Sequence, residues 1–356
     1  MPDNGYRDYS LTGPNAKASL LGNAEWYASP APRKRIKELT KRSDRLALTN
    51  YGTWLGLVVA TGALLVAVWG TAWAWPVALV YGVFYGSGAD SRWHETGHGT
   101  PFKTRWLNDA FYQLASFMSL RNPHLWRWSH TRHHSETVIV GRDPEIAFPR
   151  PPSIRDWVLN LLYIPAITKE LGKMVRIALG TLTDAEKSFL PESEWSKTFA
   201  ASRAQLMVLA AVGLAAVGLQ SWLPLFLIGL TTIYGSWLHH ILAKKQHAGL
   251  AEDVPDHRMN SRTVYLNPFF RFVYSNMNYH VEHHMYPMVP FYNLPALHDE
   301  IKADCPPAYS SLWACYREMV PAVMRQQADP NHYIRRPLPA GAGAAPAYER
   351  PVIAAE

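Results

Sequence analysis

The sequence predicts an all-α integral membrane protein in which four transmembrane helices form two hairpins beneath a cytoplasmic helical cap. Three observations predict this class of fold. Four stretches of the chain are almost purely apolar, short connectors join them in two pairs, and these connectors contain no basic residue. A membrane-spanning helix needs about 20 mainly apolar residues, and a helix satisfies all its backbone hydrogen bonds internally.

The first hairpin follows a polar N-terminal segment. No charged residue occurs from Thr53 to Trp75, a stretch long enough to cross a bilayer. Pro76 then interrupts the helix, and a second apolar run extends from Val77 to Ala89. Tryptophans lie near both ends of the first run, as expected at the level of the lipid headgroups. We therefore predict spans at about 51–72 and 73–92.

The second hairpin repeats this arrangement. Apolar runs extend from Gln205 to Leu219 and from Leu225 to Leu242, with a brief connector between them. They predict spans at about 204–221 and 224–243. The alternative is that the four runs are buried core helices of a soluble protein. Their length and their apolarity on all sides favour the membrane.

The distribution of charge predicts the orientation in the membrane. The connectors within the hairpins lack Lys and Arg, whereas seven basic residues lie between Arg33 and Arg45. Both termini and the long middle segment should therefore lie in the cytoplasm. The net charge of +7 is better explained by anionic lipid than by nucleic acid, because the basic residues adjoin predicted spans.

The segments outside the spans divide the chain into three regions. Residues 1–48 form an N-terminal cytoplasmic segment, residues 49–328 form the membrane-embedded domain, and residues 329–356 are rich in Pro, Ala and Gly and predict an extended tail. Between Trp157 and Leu179, an apolar and basic stretch predicts a helix on the membrane surface. Cys305 and Cys315 lack the spacing of a metal site and are expected to be reduced thiols.

Three histidine clusters fall on the predicted cytoplasmic side. Histidines three and four residues apart on a helix share a face, so each cluster can serve one metal ion or bridge two. Eight imidazoles exceed what one ion needs, and the clusters predict two ions. A surface or capping function would explain one pair but not three clusters on one membrane face. The clusters are His94 and His98 in HETGH, His130, His133 and His134 in HTRHH, and His280, His283 and His284 in HVEHH.

The first cluster also matches the HExxH motif of zinc proteases, with Glu95 in the position of the general base. An intramembrane zinc protease is therefore an alternative. Such an enzyme needs one zinc ion and one further ligand, which leaves the other two clusters without a function. The Asp-Gly pair expected in such a protease is also absent from the sequence.

The three clusters, placed around two transmembrane hairpins, resemble the histidine boxes of the membrane fatty acid desaturase superfamily over about residues 50–300. Asn122–Arg127 before the second box and Asn276–Tyr279 before the third strengthen the resemblance. Gln246–Leu250 and Arg262–Tyr265 are most similar to the bacterial branch that includes dihydrorhizobitoxine desaturase. That branch is not confined to long acyl chains.

The resemblance implies two non-haem iron ions, dioxygen as co-substrate and a ninth ligand, which is His247 in this sequence. Stearoyl-type desaturases have an Asn four residues before this ligand, where this chain has Ala243. Ligating histidines commonly donate their second ring N–H to a neighbouring polar group. The candidates for such supporting contacts are Glu95, His124, Glu136, Asp143, His240 and Glu282.

The activity implied by the resemblance is desaturation of an aliphatic substrate, either a fatty acyl chain or a small amphipathic molecule in the membrane lipid. Hydroxylation is the alternative, because HETGH and His247–Leu250 are also similar to bacterial alkane hydroxylases, while the third box favours desaturases. The sequence shows no haem, flavin or iron–sulfur motif. A ferredoxin or cytochrome with its reductase is therefore expected to supply electrons, and the basic cytoplasmic face suits an acidic carrier.

Overall fold

The computed structural model describes residues 8–13, 16, 25–146, 149–160 and 164–344. Helices account for the regular structure in these ranges, where extended pairing is limited to three isolated β-bridges. The prediction of an all-α fold is confirmed for this part of the chain.

The first predicted span is a continuous helix. A short helix α1, Arg33–Leu39, precedes α2, Asp44–Val68. α2 begins earlier than predicted because Ser43 caps it, accepting a hydrogen bond from the backbone N–H of Leu46 at 3.3 Å. By length and composition, α2 can cross a membrane.

The second apolar run is a helix interrupted by a π-helical turn. α3, Ala74–Gly82, passes through the π-turn, Val83–Ser87, into α4, Gly88–Gly97. The indole N–H of Trp54 donates to the carbonyl of Phe84 at 2.7 Å, which satisfies an acceptor inside the π-turn. α4 carries the first histidine cluster out of the apolar run.

Arg92 shows how a charge is accommodated at the end of this run. Its side chain is fully buried. The guanidinium donates to the carbonyls of Gly88, Phe272 and Val273 and to Asn50 Oδ1, all at 3.0–3.1 Å. These acceptors replace water around the cation and tie α4 to the cap.

The helices of the cap between the two hairpins bring the second histidine cluster beside α4. Asn122 caps α6, accepting hydrogen bonds from the backbone N–H groups of His124 and Leu125. α7 and α8 cover most of the predicted surface helix, and residues 161–163 between them lie outside the described residues. These helices are α5, Arg105–Met118, α6, Pro123–Ser135, α7, Ile154–Leu159, α8, Ile164–Ala178, and α9, Asp184–Lys187.

The second hairpin contains one continuous helix and one interrupted helix. α10, Trp195–Gly218, lies within the second segment that is long and apolar enough to cross a membrane, Glu192–Gly218. The fourth run is divided near Gly229, whose φ of 95° is incompatible with a continuous helix. Two of the four predicted spans thus form unbroken apolar helices, and the four-span arrangement stays a prediction. The pieces of the fourth run are α11, Leu223–Leu227, α12, Leu230–Gly235, and α13, Trp237–Lys244.

The two interrupted helices cross at a pair of glycines. A Cβ atom on Gly235 would lie 2.2 Å from the carbonyl oxygen of Gly82, so the backbones touch. Ser87 Oγ donates to the Gly235 carbonyl at 2.6 Å and accepts from the His239 N–H at 2.9 Å. This crossing sets α4, which contains His94, beside α13, which leads to His247.

The C-terminal helices complete the cap and present the third histidine cluster. Beyond α18, residues 329–344 have no regular secondary structure, but Ile334 packs against Leu250 and Ala322. The remainder of the predicted tail, 345–356, lies outside the described residues. These helices are α14, His257–Asn260, α15, Pro268–Val273, α16, His280–Met285, α17, Leu294–Ile301, and α18, Leu312–Arg325.

Candidate metal centre

The nine histidines predicted as ligands meet in two adjoining groups. Within each group, the ring nitrogens that could bind a metal lie within 4.8 Å of one another. The five-histidine group contains His94, His98, His130, His134 and His283, and the four-histidine group contains His133, His247, His280 and His284.

Helix periodicity explains how two clusters divide between both groups. In α6, His130 and His134 are one turn apart and join the five-histidine group, whereas His133 turns toward the other group. In α16 the division is reversed: His280 and His284 join the four-histidine group and His283 joins the five-histidine group. Each of these helices therefore contacts both groups and fixes their relative position.

The spacing of the nitrogen atoms suits metal coordination. In the five-histidine group, His94 Nε2 lies 2.7 Å from His283 Nε2, and His98 Nε2 lies 3.1 Å from His130 Nε2. In the four-histidine group, His280 Nε2 lies 2.9 Å from His247 Nε2 and 3.0 Å from His284 Nε2. Two imidazole nitrogens about 2.1 Å from one ion, at right angles, are about 3.0 Å apart. The donor sets therefore fit transition-metal ions.

Burial favours the neutral form, which binds metal, in seven of the nine rings. Burial lowers the pKa of these imidazoles well below the usual range, and the neighbouring rings lower it further. A neutral ring with Nδ1–H exposes a lone pair on Nε2, toward the centre of each group. The histidines to which this applies are His94, His98, His134, His247, His280, His283 and His284.

In each histidine group, one ring is held by a carboxylate. Asp143 Oδ2 accepts from His133 Nδ1 at 2.8 Å, as predicted for Asp143, and Glu145 Oε2 accepts from His130 Nδ1 at 3.0 Å. Burial alone would lower the pKa of His133, but the charge and hydrogen bond of Asp143 outweigh it and raise that pKa. Likewise, the attraction of His130 outweighs the effect of burial on Glu145 and lowers its pKa to about 2.

Glu145 is a residue that sequence reasoning missed. It follows the second box as part of Asp143-Pro144-Glu145. A second acidic residue so close to Asp143, which was predicted to support a ligand, is the feature of the sequence that could have identified it. The backbone N–H of Glu145 donates to Asp143 Oδ1 at 2.7 Å. The two carboxylates are therefore positioned as one unit, although they serve different histidine groups.

Three further ligands are oriented by uncharged groups. These supporting groups were not predicted from the sequence, although the ligands were. His247 Nδ1 donates to the Asn260 carbonyl at 2.8 Å. Thr137 Oγ1 donates to the His133 carbonyl and so accepts from His284 Nδ1, at 3.1 Å. The side-chain amide of Gln246 lies 3.1 Å from His280 Nδ1. Such contacts come from loops that pack together only in the fold, and local sequence does not specify them.

Two acidic residues next to ligands in sequence do not support those ligands. Glu282 accepts from Thr263 Oγ1 and pairs with His298, while Glu95 accepts from the backbone N–H of Phe291 at 3.2 Å. A residue adjacent to a ligand is about 100° away around the helix, so its side chain points into the cap instead.

The other three predicted supporting residues also have different surroundings. Glu136 accepts from Arg132 at 3.0 Å and from Arg142 Nε at 2.8 Å. His124 Nδ1 lies 3.1 Å from Glu194. His240 lines a cavity beside the four-histidine group.

The geometry around Glu95 also bears on the zinc-protease alternative. Glu95 is fully buried, and burial raises its pKa to about 8. Its carboxylate contacts Phe291 N–H and Thr100. A general base of a zinc protease must face the metal-bound water, whereas Oε2 of this carboxylate is engaged by Phe291 and Thr100.

Comparisons with known proteins agree with the histidine pattern. A family model described as "Fatty acid desaturase" matches residues 70–316. The chain is 25% identical over 301 residues to the Delta(12)-acyl-lipid-desaturase of Punica granatum, covering 72% of this chain and 73% of the relative. It is 25% identical over 289 residues to the Delta(9) fatty acid conjugase-like enzyme of Dimorphotheca sinuata, covering 69% and 74%. It is also 34% identical to the Delta(12)-oleate desaturase of Trichosanthes kirilowii over 114 residues, which are 31% of this chain and 28% of the relative.

Proposed function

Because the chain belongs to the fatty acid desaturase family, we propose that it is an oxygen-dependent non-haem diiron desaturase that introduces a double bond into an aliphatic substrate. The observation that carries this proposal is the convergence of nine histidines in two adjoining groups. In such a site, the five-histidine group would hold one iron and the four-histidine group the other. When bound, the two irons would supply, with dioxygen and external electrons, the oxidising power to break an unactivated C–H bond.

The chain's own residues would prepare the site for this chemistry. Asp143 and Glu145 hold His133 and His130 with Nε2 directed inward, and Thr137 does the same for His284. Imidazole suits iron, and because a neutral imidazole carries no negative charge, such ligands would leave the site electropositive. Five of the nine histidines are buried and the other four are partly buried, which would limit the access of bulk water to a reactive oxidant.

Metal analysis tests the proposed centre. Anaerobically purified protein loaded with ferrous iron is expected to retain two irons per chain. His134→Ala should lose iron, whereas His332→Ala, a change outside both groups, should retain it. A single zinc ion per chain, bound equally well after His280→Ala, would support the protease alternative instead.

Product analysis tests the reaction. The protein, reconstituted with a ferredoxin, its reductase and oxygen, is incubated with membrane lipids and small amphipathic molecules, as the proposed similarity to the bacterial branch suggests. Loss of two hydrogens from a substrate, measured by mass spectrometry, supports desaturation. Gain of one oxygen would assign the hydroxylase alternative. Turnover should fall as salt rises, because the proposed acidic donor is attracted to a basic surface.

We also propose four spans in a bacterial inner membrane, with both termini and the histidine groups in the cytoplasm. The exclusion of basic residues from both hairpin connectors supports this orientation. Cys305 and Cys315 are buried, so an added surface cysteine can be labelled selectively. Thr71 lies between the end of α2 at Val68 and the start of α3 at Ala74. Thr71→Cys should react with an impermeant maleimide in intact cells, and Lys41→Cys only after permeabilisation. The opposite pattern would reverse the orientation.

A further inference from the structure

A groove of about 590 Å³ lies on the surface of the cap, and none of the nine histidines forms part of its wall. Three helices, α7, α13 and α18, build this wall. We call the space the apolar groove. Ligand sites in proteins commonly measure about 300–1,000 Å³, so the apolar groove is large enough to hold a hydrocarbon chain. Its lining residues are Trp157, Val158, Ile241, Leu312, Trp313 and Tyr316.

The chemistry of the wall suits a hydrocarbon occupant. The hydroxyl of Tyr316 donates to the backbone carbonyl of Ile241 at 2.6 Å, so it is not offered to a ligand. Apart from two indole N–H groups, the other side chains of the wall are hydrocarbon. An occupant rich in polar groups would lose its hydrogen bonds to water here without gaining replacements.

The inner side of the apolar groove is anchored in the core, whereas its outer side is open. Trp157 and Tyr316 pack against the buried cluster around Met319. Trp313, in contrast, is 75% exposed and Val158 is 56% exposed. Contiguous exposed apolar surface of this kind marks a site that a membrane or another apolar partner covers.

The apolar groove continues the outer side of the fourth predicted span. Trp237 and Ile241 are one turn apart on α13 and therefore lie on the same side of this helix. Trp237 is exposed, and Ile241 forms part of the groove. Because α13 ends the fourth apolar run, the side of α13 that would face lipid leads directly into the groove. The tryptophans along this path suit the level of the lipid headgroups.

An exposed cation lies at the edge of the apolar groove. Arg317 follows Trp313 by one turn of α18, on the same side of the helix, and both are exposed. The carboxylate of the neighbouring Glu318 accepts from the Tyr309 hydroxyl. An arginine can lay its carbon stem along apolar surface and extend its guanidinium to a phosphate. The edge of the groove therefore suits a phospholipid headgroup.

We propose that a phospholipid of the surrounding bilayer places one acyl chain in the apolar groove and its phosphate beside Arg317. Through this contact, α7 and α18 rest on the membrane surface, outside the spans. The inference goes beyond the proposed reaction and rests on the proposed arrangement of the spans, because that arrangement brings α13 to the bilayer.

Quenching by nitroxide lipids tests the position of the apolar groove. The full-length protein carries a bimane fluorophore on Val158→Cys and is placed in nanodiscs of phosphatidylcholine and phosphatidylglycerol. Cys305 and Cys315 are buried, which favours selective labelling. Phosphatidylcholine with a nitroxide on its acyl chain should quench this bimane strongly. The same fluorophore on Lys187→Cys, in α9 ahead of the third span, should be quenched only weakly.

Binding of the nitroxide phospholipid in detergent solution tests the groove itself. Trp313→Ser should raise the Kd of this lipid about tenfold, because loss of roughly 60 Å² of buried apolar contact changes a binding constant by about that factor. Trp106→Ser is the matched control, since Trp106 is 66% exposed on α5 and is not part of the groove. Thermal melting shows that each variant is folded.

Several outcomes would overturn the inference. Weak quenching at Val158→Cys in folded protein would show that lipid does not enter the apolar groove. Displacement of the nitroxide phospholipid by an equal concentration of palmitate would assign the groove to a free fatty acid. A dimer that Trp313→Ser dissociates would assign it to a second copy of the chain. Strong quenching with a reversed maleimide pattern would refute the proposed orientation and leave the lipid site standing.

Discussion

Replacement of Asp143 by Asn is expected to weaken iron binding at the four-histidine group by about 10- to 100-fold. The carboxylate of Asp143 is fully buried and accepts three hydrogen bonds. These come from His133 Nδ1 at 2.8 Å, from the Val138 N–H at 2.7 Å and from the Glu145 N–H at 2.7 Å. An amide has one acceptor oxygen, so in either orientation at least one of these buried donors faces an NH2 group.

The size of the effect follows from these contacts. A buried donor without a partner costs about 1–3 kcal/mol, and a 10- to 100-fold loss of affinity corresponds to about 1.4–2.7 kcal/mol. Glu145→Gln should cause a similar loss at the five-histidine group, because it weakens the contact to His130. The two variants should therefore each release one iron preferentially.

Chelator competition under anaerobic conditions measures this effect, with iron per chain determined by mass spectrometry. Glu136→Gln is the matched control, since Glu136 lies beside the same box but pairs with Arg132 and Arg142 and not with a histidine. Thermal melting of each variant shows whether the fold is retained. Full retention of iron by folded Asp143→Asn, or equal loss from Glu136→Gln, would refute the reasoning.

Three further predictions concern packing, acid sensitivity and topology. Gly235→Ala should lower the melting temperature in detergent by several degrees because its Cβ would meet the Gly82 carbonyl, whereas Gly213→Ala, in open space, should not. Burial would raise the pKa of Asp304, but hydrogen bonds from Ser29, from the Gly343 N–H at 2.7 Å and from Tyr27 at 2.8 Å, together with the charge of Arg258, lower it. The Asp304 carboxylate should stabilise the fold at neutral pH, and this stabilisation should be lost as the pH falls through the lowered pKa. Limited proteolysis near Gly343 should therefore become faster in acid. In Asp304→Asn, proteolysis should already be fast at neutral pH and should not become faster in acid. Failure of maleimide to label Thr71→Cys in intact cells would contradict the predicted external connector.

The metal centre was more predictable from the sequence than its supporting contacts. The histidines sit at helical spacing and at the ends of apolar runs, and both features are local. The division of His130, His133 and His134 between two groups depends on how α6 packs against α16, which no local pattern encodes. Glu95 and Glu282 illustrate the limit, because proximity in sequence suggested contact and the helix turned them away.

The fold shows the same limit. The lengths of the apolar runs predicted the long helices α2 and α10. Composition alone is enough to predict such a helix when no break like the one at Gly229 interrupts the run. The second and fourth runs contain a π-turn and a break at Gly229, and their backbones touch at Gly82 and Gly235, a tertiary contact that local sequence does not encode. Arg92 closely follows the second apolar run, but the sequence did not indicate the backbone carbonyls that accept hydrogen bonds from its guanidinium.

The π-turn at Val83–Ser87 joins α3 to α4 in one continuous helical segment and changes which side of that segment the following side chains occupy. In α3, before the π-turn, side chains are oriented by packing among apolar residues. In α4, after it, the orientation directs His94 and His98 toward the five-histidine group. One added residue in a helix rotates the residues that follow by about 100° around the helix axis. The π-turn therefore sets the rotation of α4 relative to α3. Evolution or design could therefore retune the aim of the first histidine pair by a single insertion or deletion there, without altering any residue that faces lipid or metal.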